Sequence, residues 1–110
     1  MEELTARQVK QQLESNADIV LINTLGAESF RAKRIPGSIN IPAGQIQGQA
    51  EHLLPDKDQQ IVVYCASPDC PASSKAAKKL TQCGYNNVYD FEGGLTGWLN
   101  EGFSLTRGNS

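Results

Sequence analysis

Short apolar runs alternate with amphipathic stretches along the chain, and this alternation predicts strands and helices in turn. The clearest strand is Ile61 to Cys65, which is apolar throughout, as is typical of a strand buried on both faces of a parallel sheet. Two further runs predict strands at Asp18 to Asn23 and at Asn87 to Phe91. A fourth, shorter strand is predicted at Ser38 to Ile41, after the turn at Pro36.

The stretches between these runs carry apolar residues at helical spacing. The first helix contains Leu4, Val9 and Leu13, and we expect Thr5 or a residue just before it to cap that helix. The remaining helices are predicted at Ala27 to Arg34, Gln45 to His52, Ser73 to Cys83 (ended by Gly84) and within Glu92 to Gly102.

Strands that alternate with helices indicate an α/β fold, with a mostly parallel sheet and helices on both of its faces. A length of 110 residues fits one domain, residues 1 to 110, and we expect residues 106 to 110 to be a frayed tail.

The charge balance excludes two broad classes of function. Ten basic and twelve acidic residues give a net charge of −2, which provides no electrostatic basis for binding nucleic acid or an anionic membrane. The amino-terminal sequence MEELTARQVK lacks an apolar signal core, and no apolar run approaches the roughly twenty residues of a membrane span. We therefore expect a soluble, cytoplasmic protein.

The chain has three cysteines, Cys65, Cys70 and Cys83, and one histidine, His52. An odd number of cysteines without an export signal argues against a framework of disulfides. The spacing also matches structural zinc sites poorly, so we expect neither a metal nor an organic cofactor. The pattern favours thiol chemistry.

Cys65 is placed where the strongest predicted strand ends and a loop leads into a helix. Ligands of parallel sheets bind at the carboxyl ends of the strands. If the loop wraps over the Cys65 sulfur, backbone N–H groups converge on it and the helix N-terminus adds partial positive charge. Both effects favour thiolate, should lower the pKa of Cys65, and would hold a persulfide or an oxyanion. The N–H donors would come from Ala66, Ser67, Asp69, Cys70, Ala72 and Ser73, since Pro68 and Pro71 have none. The alternative from these residues alone is that Cys65 is a small buried side chain that closes a strand.

Four stretches of the chain resemble the rhodanese-like domain, a family of single-domain sulfurtransferases. In order they are VLIN with AESFRAKRIPGSINIP, then IVVYC, SSKAAKKLTQCGYNNVYDFEGG and LTGW, and they span about Leu4 to Leu105. The resemblance implies a central parallel five-stranded sheet with helices on both faces. It also implies that Cys65 takes sulfane sulfur from thiosulfate or a persulfide and holds it as a persulfide within the loop Ala66 to Ser73. The sulfur then passes to cyanide, a thiol or a carrier protein.

The chain departs from the usual family pattern at several places, two of which bear on the loop. Many members have Asp-Val-Arg where this chain has Asn23, Thr24 and Leu25, and many have a cation where this chain has Cys70. The loop resembles instead a subgroup with Cys-x4-Cys-Pro-x-Ser. A protein or low-molecular-weight persulfide is therefore favoured over thiosulfate as the donor.

Several residues near the loop keep more than one interpretation. Cys70 could be a resolving thiol that forms a disulfide with Cys65, could relay the sulfur, or could pack beneath the loop. Ser73 is placed to cap the helix, and its hydroxyl could also donate to the persulfide. Cys83 and Trp98 are interpreted as structural, and His52 as a surface residue.

Two groups of basic residues flank the site in the sequence. Lys75, Lys78 and Lys79 are interpreted as a solvated helix face, or as guides for an acidic partner. Arg31, Lys33 and Arg34 are interpreted as a solvated turn, or as the cations that the loop lacks.

The leading prediction is thus an enzyme that transfers sulfane sulfur through Cys65. Phosphatase-like and arsenate-reducing enzymes share the plan of cysteine, loop and helix, but they need an arginine where this chain has Pro71. A non-catalytic redox, sulfur-sensing or protein-binding module is the remaining alternative.

Overall fold

A computed structural model describes residues 2–15 and 18–108 and shows five parallel strands in one sheet. The strands are β1 (Glu2–Glu3), β2 (Val20–Asn23), β3 (Ile39–Asn40), β4 (Gln60–Tyr64) and β5 (Asn87–Phe91). Their order across the sheet is β1-β5-β4-β2-β3, so the most apolar strand, β4, lies in the centre. The expected parallel five-stranded α/β fold is confirmed.

Five helices connect the strands or follow the last one. They are α1 (Ala6–Ser15), α2 (Ala27–Ala32), α3 (Ile46–Leu53), α4 (Ala72–Gln82) and α5 (Gly94–Asn100), with one 3-10 turn at Ala43–Gln45. Thr5 caps α1 as expected: its hydroxyl accepts from the Gln8 N–H, and the Gln8 side-chain oxygen accepts from the Thr5 N–H. Gly84 ends α4 with φ of 97°, which is also as expected. Among the described residues, no helix combines the length and apolar character needed to cross a membrane.

The two faces of the sheet carry separate apolar clusters because successive side chains of a strand point to opposite faces. On one face Ile61 and Val63 of β4 pack with residues of α3 and α4. On the other face Val62 and Tyr64 pack with residues of α1 and α5, including the buried Trp98. The helices therefore cover both faces, and the end of β4 lies between them.

The carboxyl-terminal segment differs from the expected frayed tail over residues 106 to 108. Thr106 forms an isolated antiparallel bridge with Arg34. The Arg34 N–H donates to the Thr106 carbonyl oxygen at 2.9 Å between nitrogen and oxygen, and the Thr106 N–H donates to the Arg34 carbonyl oxygen at 2.8 Å. The Arg34 guanidinium also donates to the carbonyl oxygen of Gly108. Residues 109 and 110 lie outside the described part of the chain.

Candidate functional site: the loop after β4

Cys65 follows the last residue of β4 and has 1% of its surface exposed. Its preceding residue, Tyr64, is paired in register with Asn23 of β2 on one side and Phe91 of β5 on the other. The cysteine therefore lies at the carboxyl edge of the central strand, where the sequence placed it.

The start of α5 fixes the backbone of the first two loop residues. The Leu95 N–H donates to the carbonyl oxygen of Cys65 at 3.1 Å. The N–H and hydroxyl of Thr96 both donate to the carbonyl oxygen of Ala66, at 3.0 and 3.2 Å. These bonds turn both carbonyl oxygens toward α5, so the N–H groups that follow them point in the opposite direction.

Gly94 makes this close approach possible. Its φ is 60°, and a Cβ there would overlap the carbonyl group of Cys65. A side chain at this position would therefore push α5 away from the loop.

Thr24, the residue after β2, holds the other side of the same backbone. The N–H and hydroxyl of Thr24 both donate to the carbonyl oxygen of Tyr64, at 3.0 and 2.9 Å. Three consecutive carbonyls, at residues 64 to 66, are thus anchored by side-chain or backbone donors from Thr24 and α5. The sequence identified Thr24 as a departure from the usual Asp-Val-Arg pattern but did not predict this role.

The loop then reverses direction through a tight turn. The Cys70 N–H donates to the carbonyl oxygen of Ser67 at 3.1 Å, with Pro68 and Asp69 exposed at the two central positions. Proline suits the first central position because its φ is already fixed near the required value. The turn brings Cys70 back toward the start of the loop.

Cys65 and Cys70 form a disulfide, with their Cα atoms 6.2 Å apart. That separation lies inside the usual range for bridged cysteines. Cys70 is half-buried, whereas Cys65 is almost fully enclosed. The loop thus brings together the two residues that the sequence singled out.

Two expectations about the loop and its helix are wrong. The Cys70 N–H is engaged by Ser67, so it is not among the groups available to an anion at Cys65. Ser73 does not cap α4, since the helix begins at Ala72, with Pro71 before it and no side-chain cap. Ser73 is instead a buried residue of the first helical turn.

The first turn of α4 still presents unpaired backbone donors. The Lys75 N–H makes the first bond within this helix segment, to the carbonyl oxygen of Pro71 at 3.1 Å. The amides of Ala72, Ser73 and Ser74 precede it and have no acceptor inside the helix. The N-terminus of α4 therefore offers backbone donors and partial positive charge beside the loop.

A buried hydrogen-bond network centred on Tyr64, the residue before Cys65, holds the end of β4 in place. The Tyr64 hydroxyl accepts from the Ile35 N–H at 3.0 Å and from the Asn23 side-chain amide at 3.1 Å. It lies 2.9 Å from the Ser38 hydroxyl, which itself donates to the carbonyl oxygen of Ile35. Burial raises the pKa of Tyr64 above its ordinary value, against the lowering effect of the hydrogen bond with Ser38.

Two neutral side-chain amides, those of Asn23 and Asn40, hold the turn that follows β2. The Asn23 side-chain oxygen accepts from the Leu25 N–H at 2.9 Å. The Asn40 side-chain amide donates to the carbonyl oxygens of Asn23 and Leu25, at 3.1 and 2.8 Å. The turn after β2 is thus held to β3 without an ion pair.

One of the nearby cations, Arg34, has a structural role. Its guanidinium donates to the carbonyl oxygens of Phe30, Arg31 and Gly108 and lies 5.1 Å from the Phe30 ring centre. The side-chain amine of Lys79 likewise donates to the carbonyl oxygen of Ala43, which ties α4 to the 3-10 turn. The exposed cations of the two basic groups are Arg31, Lys33, Lys75 and Lys78.

The residues predicted to be structural lie outside the loop. Cys83 is a half-buried free thiol that packs against the core at the end of α4. Trp98 is buried, and its indole N–H donates to the carbonyl oxygen of Ser104 at 2.9 Å. His52 is exposed on α3. Within residues 2–15 and 18–108, no group of three or more acidic, histidine or cysteine side chains is arranged to hold a metal ion.

This geometry defines a class of protein: a parallel α/β domain in which a loop that starts at a cysteine connects the central strand to a helix. The rhodanese-like domain matches residues 5–101, and the chain belongs to that family. The family assignment made from the sequence motifs is confirmed.

Named relatives agree with this assignment. The chain is 33% identical over 93 residues to the "Adenylyltransferase and sulfurtransferase UBA4" of Meyerozyma guilliermondii, covering 78% of this chain and 21% of that protein. It is 30% identical to the "Thiosulfate sulfurtransferase GlpE" of Pseudoalteromonas translucida, covering 79% of each chain. The crystal structure of the BH2092 protein from Bacillus halodurans has a TM-score of 0.88 and 26% identity, covering 96% of this chain and 77% of that one.

The chain thus spans about a fifth of the length of the UBA4 relatives that it matches. Its relatives include sulfurtransferases, which supports a role in sulfur transfer in general.

Proposed function

We propose that this single rhodanese-like domain is a sulfurtransferase that carries sulfane sulfur as a persulfide on Cys65. The observation that carries the proposal is the placement of Cys65. Cys65 is nearly enclosed and lies between the end of β4 and the loop that leads to α4. Hydrogen bonds from Thr24 and Leu95 anchor the backbone at this point. A fixed thiolate with donors around it is the arrangement that nucleophilic sulfur chemistry requires.

The proposed transfer has two displacement steps. The Cys65 thiolate attacks the outer sulfur of the donor, and the rest of the donor leaves as a thiolate or, from thiosulfate, as sulfite. The Cys65 persulfide then carries the negative charge on its outer sulfur. Attack on that sulfur by a thiol, cyanide or a carrier protein restores the Cys65 thiolate.

The loop Ala66 to Ser73 is the proposed binding element for the persulfide. The amides before Lys75 and the N-terminus of α4 supply partial positive charge without a cationic side chain. Partial charges of this kind suit a singly charged persulfide better than a dianion. The sequence from 66 to 74 contains neither lysine nor arginine. We therefore propose a protein or low-molecular-weight persulfide, rather than thiosulfate, as the preferred donor.

The loop sequence Cys65, Cys70, Pro71 and Ser73 supports assignment to a subgroup with Cys-x4-Cys-Pro-x-Ser. Because the chemistry needs reduced thiols, we place the protein in a reducing compartment such as the cytoplasm. A carrier protein is a plausible acceptor class, since one relative is named "Putative sulfur carrier protein YrkF".

Intact-mass measurement tests this proposal. Reduced protein is incubated with glutathione persulfide or with thiosulfate, and the Cys70→Ser variant is included so that sulfur is retained on Cys65. A gain of one sulfur atom, removed by cyanide and absent from Cys65→Ser, supports transfer. No gain from either donor, in wild type or in Cys70→Ser, would exclude it.

The Cys65–Cys70 disulfide favours a second candidate, a non-catalytic redox or sulfur-sensing module. Such a module would form the disulfide with peroxide but would transfer no sulfur to an added acceptor. Measuring acceptor labelling beside disulfide formation separates the two candidates.

A further inference from the structure

We propose a further activity for the loop: Cys70 discharges the Cys65 persulfide and releases its outer sulfur as hydrosulfide. The product on the protein is the Cys65–Cys70 disulfide. This inference rests on the proposed function, because it needs a persulfide on Cys65.

The turn at Ser67 to Cys70 holds the second thiol beside the first. Its N–H to carbonyl bond of 3.1 Å returns the chain, and the two cysteine Cα atoms lie 6.2 Å apart. Cys70 can therefore bond to Cys65 with the surrounding strands and helices in place. No second protein has to enter the site for this step.

The disulfide shows that Cys70 can reach the inner sulfur of the proposed persulfide. In the persulfide, the Cys65 Sγ atom is the inner sulfur, and it is the atom to which Cys70 is joined in the structure. The Cys70 thiolate would attack this inner sulfur and form the S–S bond, while the bond to the outer sulfur breaks. The outer sulfur leaves with the electron pair as hydrosulfide and takes up the proton that Cys70 lost. Attack on the outer sulfur would instead move the sulfane sulfur onto Cys70.

Two features favour this internal step over transfer to an external acceptor. Cys65 is 1% exposed, so an external acceptor must reach into an enclosed site, whereas Cys70 is already in the loop. A nucleophile held next to its target reacts at a high effective concentration.

A dithiol reductant is the co-reactant that completes the cycle. It would attack Cys70, which is half-buried and more accessible than Cys65, and it would leave both cysteines reduced. Over one cycle the sulfane sulfur is reduced to hydrosulfide and the dithiol is oxidised to a disulfide. The activity is thus that of a persulfide reductase, with a thioredoxin-like protein or dithiothreitol as the electron donor.

A single-turnover experiment without oxygen tests the inference. Reduced wild type, Cys70→Ser, Cys70→Ala and the control Cys83→Ser each receive one equivalent of glutathione persulfide. Intact mass and trapped hydrosulfide are then followed with time. Wild type and Cys83→Ser should release one hydrosulfide per chain and lose two hydrogens. Both Cys70 variants should keep the added sulfur, with a persulfide lifetime longer by about a hundredfold or more.

The possible failures are distinguishable. If wild type keeps the added sulfur for as long as the Cys70 variants do, the reductase activity is excluded while sulfur transfer stands. If no variant gains sulfur and no hydrosulfide appears, the persulfide on Cys65 is itself excluded, and both proposals fail. If the added sulfur is found as a persulfide on Cys70, and cyanide can remove it from there, Cys70 relays the sulfur. That result would show that the proposed release of hydrosulfide is wrong.

Discussion

Gly94 lies directly against the backbone of Cys65, so that a Cβ on Gly94 would overlap the Cys65 carbonyl oxygen. The contact joins the start of α5 to the residue proposed to carry sulfur. α5 is therefore a part of the loop's support, although it contributes no side chain to the thiol chemistry that we propose.

Substitution of Gly94 by alanine tests this contact. The left-handed backbone alone should cost about 1–2 kcal/mol, and the overlap with Cys65 should add to that loss. Gly102→Ala is the matched control, because Gly102 has φ of 82° but open space around it. We expect a larger loss of unfolding free energy, measured in urea, and slower sulfur loading for Gly94→Ala than for Gly102→Ala. Equal effects would show that the contact has no role beyond backbone strain.

The Thr24 hydroxyl should contribute about 1 kcal/mol to the free energy of unfolding, because it is buried and donates to the carbonyl oxygen of Tyr64. Thr24→Val removes this donor with little change in volume and leaves the bond from the Thr24 N–H. Thr96→Val is the comparison, because the Thr96 hydroxyl donates to Ala66 from an exposed position. Thermal or urea unfolding should show the greater loss for Thr24→Val. A greater loss for Thr96→Val would contradict the anchoring role assigned to Thr24.

The Tyr64 network predicts sensitivity to alkaline pH. Burial raises the pKa of Tyr64, so its neutral form is favoured in the folded state. The contribution to stability is complete below the pKa of an unfolded tyrosine, about 10, and is lost as pH rises toward the higher folded value. Unfolding free energy measured from pH 8 upward should therefore fall above about pH 10.

The Tyr64→Phe variant measures how much of the alkaline decrease in unfolding free energy comes from Tyr64. At neutral pH it should destabilise the protein by about 1–3 kcal/mol, because the Ile35 N–H and the Asn23 amide lose their acceptor. Its alkaline decline should be shallower but present, since burial also raises the pKa of Tyr85. An unchanged alkaline slope in Tyr64→Phe would exclude Tyr64 as the source.

The cradle proposed for Cys65 predicts a reactive thiolate at neutral pH once the disulfide is reduced. In the double variant Cys70→Ser/Cys83→Ser, Cys65 is the one thiol left, so alkylation by iodoacetamide reports on it alone. We expect the rate to reach its plateau well below pH 8, because the N-terminus of α4 favours the thiolate. A rate that follows an ordinary thiol, with a midpoint of about 8.5, would contradict the cradle.

The apolar pattern was sufficient to predict four of the five strands. Runs such as Ile61 to Tyr64 are buried on both faces, and none of the described helices shares that composition. β1 has only Glu2 and Glu3 and was not predicted from the pattern, so the fifth strand was expected only from the family resemblance. The boundary of α4 was harder to place. Pro71 cannot occupy a helix interior but fits just before its first turn, and it moved the start of the helix ahead of Ser73.

The support of the site depends on residues far apart in sequence. Tyr64 meets Asn23 and Ser38 through the register of β4 beside β2 and through the turn at Pro36, and no local pattern encodes that meeting. The bridge between Arg34 and Thr106 has the same origin. The position of Cys65, in contrast, could be predicted locally, because the residues before it form a buried apolar strand.

The sheet order also constrains the sequence of events when the chain is synthesised. β1 lies at the edge beside β5, and Glu2 is in register with Tyr89, so the first strand pairs with the last. A nascent chain must therefore expose its first residues until β5 has left the ribosome. Closure of this edge of the sheet therefore cannot precede the synthesis of β5.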